Sequence, residues 1–407
     1  MAITDKEQGV WELDQVYNKI NQGGIWSYTG LPDKFYVWGY NEVGNLAQND
    51  TSPGRSSPLQ IPGTDWSRMG SGAYAVGGIK TDGTFWTWGV NFKGMLGLNE
   101  SAPGPAGSSD KYSSPVQLGT GTDWAHAVWG EYNTMAVKTN GTLWAWGVNT
   151  DGQLGLNSTI SWPSGGESSP RQVGTDTTWS TSIGSLSTGY NSSGAIKTDG
   201  TLWMWGGSGN GILGHNNQTS YSSPKQVGTD TNWAIICGAS ATGAHAIKTD
   251  GSLWSWGNNN LGNIGHNDRT YRSSPTQVGT ETTWSKINSI ALQATVAVKT
   301  DGTLWTWGSN EKGEMGQNEG SPSKNISSPT QVGTGTDWSE ARGFIRNVMA
   351  VKTDGSLWGW GANYQGVIGD NSKTNRSSPV QIPGQWDISY VSEADTSAKV
   401  TMGKQSF

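Results

Sequence analysis

A ten-residue pattern returns along the whole chain; its fullest copy reads Lys299-Thr300-Asp301-Gly302-Thr303-Leu304-Trp305-Thr306-Trp307-Gly308. The second Trp of its Trp-x-Trp-Gly core falls at Trp38, Trp88, Trp146, Trp205, Trp256, Trp307 and Trp360, with spacings of 50, 58, 59, 51, 51 and 53 residues. A unit this short cannot bury its apolar face alone and must stack on its neighbours. The 407 residues are therefore one repeat body rather than a string of independent domains.

Each copy carries four landmarks. Trp-x-Trp-Gly leads into an Asn-x-x-Gly-x-x-Gly turn, as in Asn149 to Gly155. A Ser-Ser-Pro element follows, with prolines at Pro58, Pro115, Pro170, Pro224, Pro275, Pro329 and Pro379. A lone Trp then comes after a Gly/Thr-rich turn, at Trp66, Trp124, Trp179, Trp233, Trp284, Trp338 and Trp386. The last landmark is an apolar run ending in Lys-Thr-Asp-Gly.

Side chains alternate with a period of two on both sides of the Asp-Gly step, which predicts a β-hairpin whose turn needs a positive φ at glycine. Two further short strands make each repeat an antiparallel sheet of about four strands. Seven such sheets packed radially form a β-propeller, which leaves few strand edges exposed. The expected fold class is all-β: a seven-bladed propeller over residues 32–403, after an amino-terminal segment 1–31 and before a short tail, 404–407.

The chain ends refine this expectation. Lys34 to Gly39 has no preceding strand with which to make its hairpin. Ser397 to Gly403 aligns with Met349 to Gly355, so the carboxy-terminal strand is expected to pair with residues 34–39 and close the ring.

Twenty of the 24 tryptophans sit on these landmarks and are expected to be core. The exceptions, Trp11, Trp26, Trp129 and Trp162, are candidates for contacts outside it. Trp162, in the polar stretch Ser158 to Pro163, is either a partner or sugar contact or a loop anchor. In residues 1–31, Trp11, Leu13, Val16, Tyr17 and Ile20 are spaced as one apolar stripe of a short helix. That helix either packs on the side of the repeat body or docks to a partner through Trp11, Val16, Tyr17 and Ile20.

Composition removes several functions. With a net charge of -6 and no Lys/Arg cluster, the chain lacks the electrostatic footprint for nucleic-acid backbones. It has no run of about 18 apolar residues, so membrane insertion is not expected. The amino terminus lacks a Sec-type signal, and action outside a cell implies release by another route, such as lysis. The single Cys237 lies in the apolar run Ala234 to Cys237 and reads as packing.

No catalytic, cofactor or metal site is expected. Gly209-Asn210-Gly211-Ile212-Leu213-Gly214 matches a dinucleotide fingerprint but occupies the place of the ordinary turn. His215 and His266 are equivalent positions in adjacent repeats, without converging ligands. Asp82, Asp199, Asp250, Asp301 and Asp354 recur because the hairpin turn favours Asp-Gly. Insertions instead point to binding. The segment ahead of Ser-Ser-Pro is longest in the second repeat (Asn99 to Pro115), then the third (Asn157 to Pro170) and sixth (Asn318 to Pro329). Insertions at one equivalent position project from one face, whether as a binding face or as neutral variation.

The pattern W-x-W-G-x-N-x-x-G-x-L-G with K-T-D-G-x-L-W, over residues 32–403, resembles the RCC1-type repeat. That resemblance implies a seven-bladed propeller. It leaves function open, because the family includes a nucleotide-exchange factor for a small GTPase, a plant ultraviolet photoreceptor and a secreted inhibitor of β-lactamases. The stretch Gly9 to Ile20 resembles the start of virion structural proteins of tailed bacteriophages, particularly marine ones.

The resulting expectation is a non-enzymatic virion protein, tail-associated or surface-exposed. Its partners would be other virion structural proteins, with contact to a host-surface receptor or glycan through loops 99–114 and 157–169. The alternative is a cytoplasmic RCC1-like protein–protein interaction module that regulates or inhibits one partner.

Overall fold

The computed structural model describes residues 34–100, 111–160, 166–240, 243–290, 294–319, 324–389 and 400–405. Trp11, Val16, Tyr17, Ile20 and Trp26 of segment 1–31 lie outside the described residues, as does Trp162. What is described is all-β apart from two single 3-10 turns, Gly209–Gly211 and Tyr364–Gly366.

Five sheets have four antiparallel strands and a sixth has seven. In the larger sheet the strand Arg376–Asp387 serves twice. As far as Gln385 it pairs with Ser356–Gly361, and its last two residues, Trp386 and Asp387, pair with Val400–Gln405. That sheet is thus two four-stranded units sharing one strand, which with the other five makes seven. The first strands of the units, such as Trp66–Ser71, Trp124–Trp129 and Leu186–Thr188, touch one another in succession and lie at the centre.

The repeated motif holds each hairpin by a relay of polar side chains. Asp301 Oδ1 accepts from the Thr303 amide at 3.0 Å and the Thr303 hydroxyl at 2.7 Å, and that hydroxyl accepts from Trp305 Nε1 at 2.8 Å. The same relay forms at Asp82, Asn140, Asp199, Asp250 and Asp354. The hairpin loop is completed by Gly302 at φ +75°. Its missing Cβ matters doubly, since a side chain there would collide with the Thr336 carbonyl of the next unit.

The second Trp of each Trp-x-Trp-Gly joins neighbouring units. All seven are fully buried, and each indole donates to a carbonyl in the Asn-x-x-Gly turn of the preceding unit at 2.7 to 3.0 Å. A buried donor and acceptor thus satisfy each other across every junction, including the one from Trp38 to Val367 that links the first and last repeats.

Two expectations need correction. The carboxy-terminal strand does pair with Lys34–Gly39, but in another register. Trp38 faces Thr401, as Trp360 faces Val348, so Thr401 stands with Val348 and not with Thr353. From Trp386 to its partner Gln405 is five residues longer than from Trp338 to its partner Lys352, and the extra length lies in the hairpin connection. The strand accordingly runs to Gln405, past Gly403. Trp129, taken as an outside contact, is 1% exposed. It ends a central strand and fills the space over Gly77, where a Cβ would meet its ring, and it packs against Phe85.

Candidate lateral binding grooves

In six units a lysine ends the second strand, or directly follows it at Lys197, and lies between two indoles. Lys299 Nζ is 4.6 Å from the Trp284 ring centroid and 3.8 Å from that of Trp305. In three units its charge is met by an acid three residues before the lone Trp, with Lys197–Asp176, Lys248–Asp230 and Lys299–Glu281 each at 2.7 Å.

Three units depart from this arrangement. The acid's place is taken by Gly63 ahead of Trp66, Gly121 ahead of Trp124 and Gly335 ahead of Trp338, and an acid stands two residues on, at Asp65, Asp123 and Asp337. Lys138 then meets Asp123 at 3.0 Å and Lys352 meets Asp337 at 3.2 Å. With no side chain at the glycine, the two lysines are 19% and 22% exposed, against 11%, 9% and 5% for the other three. A groove lies beside each glycine of these two pairs, about 560 Å³ at Gly121 and about 370 Å³ at Gly335.

The larger groove collects both loops singled out by their length. Asn99, Glu100 and Tyr112 come from one and Ser169 from the other. They are tied together by the Asn99 amide, which donates to the Ser168 carbonyl at 2.7 Å, and the Tyr112 hydroxyl donates to Glu100 at 2.6 Å. Residues 101–110 and 161–165 of these loops lie outside the described residues. The third long loop begins at Asn318, which lines the smaller groove. The structure therefore brings the described ends of all three long loops to two of the three places where glycine stands in for the acid.

A second feature lies at the end carrying the Asn-x-x-Gly turns. Tyr74 and Tyr132 stack at 6.0 Å, Tyr132 meets Tyr190 edge-on at 5.8 Å, and Phe92 packs on Tyr132. Tyr40 borders a pocket of about 250 Å³ walled by Phe344, Ile345 and Tyr364. Burial and then the neighbouring Glu42 carboxylate push the Tyr40 hydroxyl up to about 12.

The four histidines are buried or half-buried. Burial holds His245 down to about 4, and its ring meets the Asn263 carbonyl at 2.9 Å. Burial, together with Arg68 and Arg342, holds His126 down to about 3. His215 and His266 occupy matching half-buried places, the first beside the Met204 carbonyl and the second 3.0 Å from the Ser255 hydroxyl. The Cys237 thiol is buried 3.8 Å from Ser289. Among the described residues no three His, Cys, Asp or Glu gather as a metal site.

The family model described as the RCC1-like domain matches residues 34–406. The ultraviolet-B receptor UVR8 of Arabidopsis thaliana is 30% identical over 191 residues, 46% of this chain and 43% of the receptor. The chain thus matches less than half of that protein's length. RUG3, a mitochondrial RCC1 domain-containing protein of the same plant, is 27% identical over 363 residues, covering 86% of this chain and 77% of its own. The crystal structure of Prp20p from Saccharomyces cerevisiae, described with its binding to Gsp1p and histones, superposes with a TM-score of 0.77 at 16% identity. The superposition covers 93% of this chain and 92% of that one, and the two share a fold.

Proposed function

The chain belongs to the RCC1-like domain family, and we propose that it is a non-catalytic binding scaffold: a seven-bladed propeller, closed by Val400–Gln405 against Lys34–Gly39, in a tailed-bacteriophage particle. In this reading residues 1–31, whose stretch Gly9 to Ile20 resembles virion proteins, dock the propeller to other structural proteins of the particle. Its lateral surface contacts the host.

The observation that carries the reading is the gathering of long-loop ends at two grooves. Loops vary where the scaffold does not constrain them, and binding concentrates there. Protein partners fit the family, since Prp20 is described as bound to Kap60 and as binding Gsp1p and histones.

Mass spectrometry of purified virions tests the assignment: the protein copurifies with particles through a density gradient. Its recovery only from cell lysate rejects the virion role. The second reading, a cytoplasmic interaction module, is favoured by the aromatic end with its apolar pocket, a surface suited to an apolar side chain of one protein partner.

A further inference from the structure

We infer that the two lateral grooves are saccharide sites, each taking a neutral oligosaccharide across a Lys–Asp pair. The inference rests on the surface-recognition reading above and names the ligand class of those grooves.

The other repeats act as an internal reference for what the grooves lack. At Asp176, Asp230 and Glu281 the acid pairs with the lysine at 2.7 Å, and the lysine is 5 to 11% exposed. At Gly121 and Gly335 the space is open, yet the ion pair is kept by moving the acid to Asp123 and Asp337. The order Gly-x-Asp also stands at Gly63 and Asp65, where Lys80 lies over the Trp66 and Trp86 rings. At Gly121 and Gly335 it keeps a Lys–Asp pair beside a groove, at two equivalent positions.

The charge balance selects the ligand. An anion approaching Lys138 meets Asp123 and, at the groove edge, Glu100; a cation approaching Asp123 meets Lys138. A neutral ligand meets neither repulsion. Lys138 Nζ meets the buried Asp123 Oδ1 at 3.0 Å on a carboxylate whose side chain is 41% exposed, and two adjacent hydroxyls of a sugar can accept from the lysine and donate to the other carboxylate oxygen. The side-chain amides of Asn99 and Gln117 add a donor and an acceptor each, while the Tyr112 ring and Pro170 form apolar walls for the C–H faces of a pyranose. Both volumes lie within the range of about 300–1,000 Å³ typical of small-ligand sites.

The test uses the full chain and a printed array of neutral, sialylated and sulfated oligosaccharides, followed by calorimetric titration of the best neutral hit. Two variants repeat the arrangement of the other units: Gly121→Asp with Asp123→Thr, and Gly335→Asp with Asp337→Thr. Each closes a groove while leaving the lysine an acid, and thermal unfolding checks that the fold is kept. Binding at two sites per chain is expected, falling to one site in either double variant and dropping at least 100-fold in the quadruple variant.

Neutral-sugar binding that the quadruple variant leaves unchanged overturns the inference, as does an array with no neutral hit. Binding to intact host cells, measured in parallel, separates the two levels. Cell binding lost in the quadruple variant without any neutral hit leaves the grooves as the recognition site and rejects the ligand class. Absence of cell binding by the wild-type chain rejects the surface-recognition reading itself.

Discussion

Removing residues 400–407 tests how the ends of the chain are joined. The strand Val400–Gln405 pairs with all six residues of Lys34–Gly39, Val400 and Met402 are buried, and the Thr401 hydroxyl donates to the Val367 carbonyl at 2.8 Å. Two buried aliphatic side chains contribute about 3–6 kcal/mol, and the hydrogen-bond ladder, at about 0.5–1.5 kcal/mol per bond, about as much again. The expected loss is therefore about 6–12 kcal/mol, comparable to the whole stability of an ordinary domain. With an unfolding entropy of about 2.1 cal/mol/K per residue, a chain of 407 residues loses about 7–14 °C in melting temperature. The assay is thermal unfolding followed by near-ultraviolet circular dichroism and Trp fluorescence, with a synthetic peptide of residues 400–407 added back. Partial recovery with the peptide is expected. A truncated chain melting within 2 °C of the intact one would refute the reasoning, because Trp38, Phe35 and Trp386 would then be held without the strand that covers them.

Other consequences are smaller. Trp360→Phe removes the indole donor and strands the buried Glu314 carbonyl, so denaturant titration should show a loss of about 1–3 kcal/mol. Trp129→Ala opens a cavity against Phe85 and Gly77 and should destabilise by about 3–5 kcal/mol; a loss under 1 kcal/mol would contradict its burial. His126, held down to about 3, and His245 and His266, each held down to about 4, are neutral in the fold. The unfolded chain takes up these protons below about pH 6.5, so stability is full above that pH and falls as pH drops toward 4 and 3. His126→Leu should flatten the fall in melting temperature over that window, and an unchanged slope would refute the assignment. Asp301→Ala breaks one relay and should cost about 1–3 kcal/mol at pH 7. The Thr303 hydroxyl and amide hold the Asp301 carboxyl below its ordinary range, so this cost should shrink as acid protonates it.

The strands and their hairpins were legible in the sequence because each rests on contacts a few residues long. The landmark tryptophans divide instead: fourteen are buried, whereas Trp86, Trp144, Trp203, Trp254, Trp305 and Trp358, expected in the core, are half-buried beside the lysine. A period of two, an Asp-Gly step and a Thr two residues before Trp suffice to define a hairpin and its relay. What the residues 1–31 and Trp162 do was not decided by these local rules. Nor were the register of the last strand and the place of Trp129: the first depends on a connection five residues longer than its counterparts, and the second on Gly77, a partner some fifty residues away. The grooves stand between these cases. Gly121 and Gly335 can be read off aligned repeats, but the meaning of the swap appears only when the lysine, the two indoles and the ends of the long loops are seen around one space. Local sequence determined the hairpin of each repeat, because its turn and relay bonds are made within the repeat. Tertiary structure decided how repeats differ in use, because that depends on the space left between neighbours.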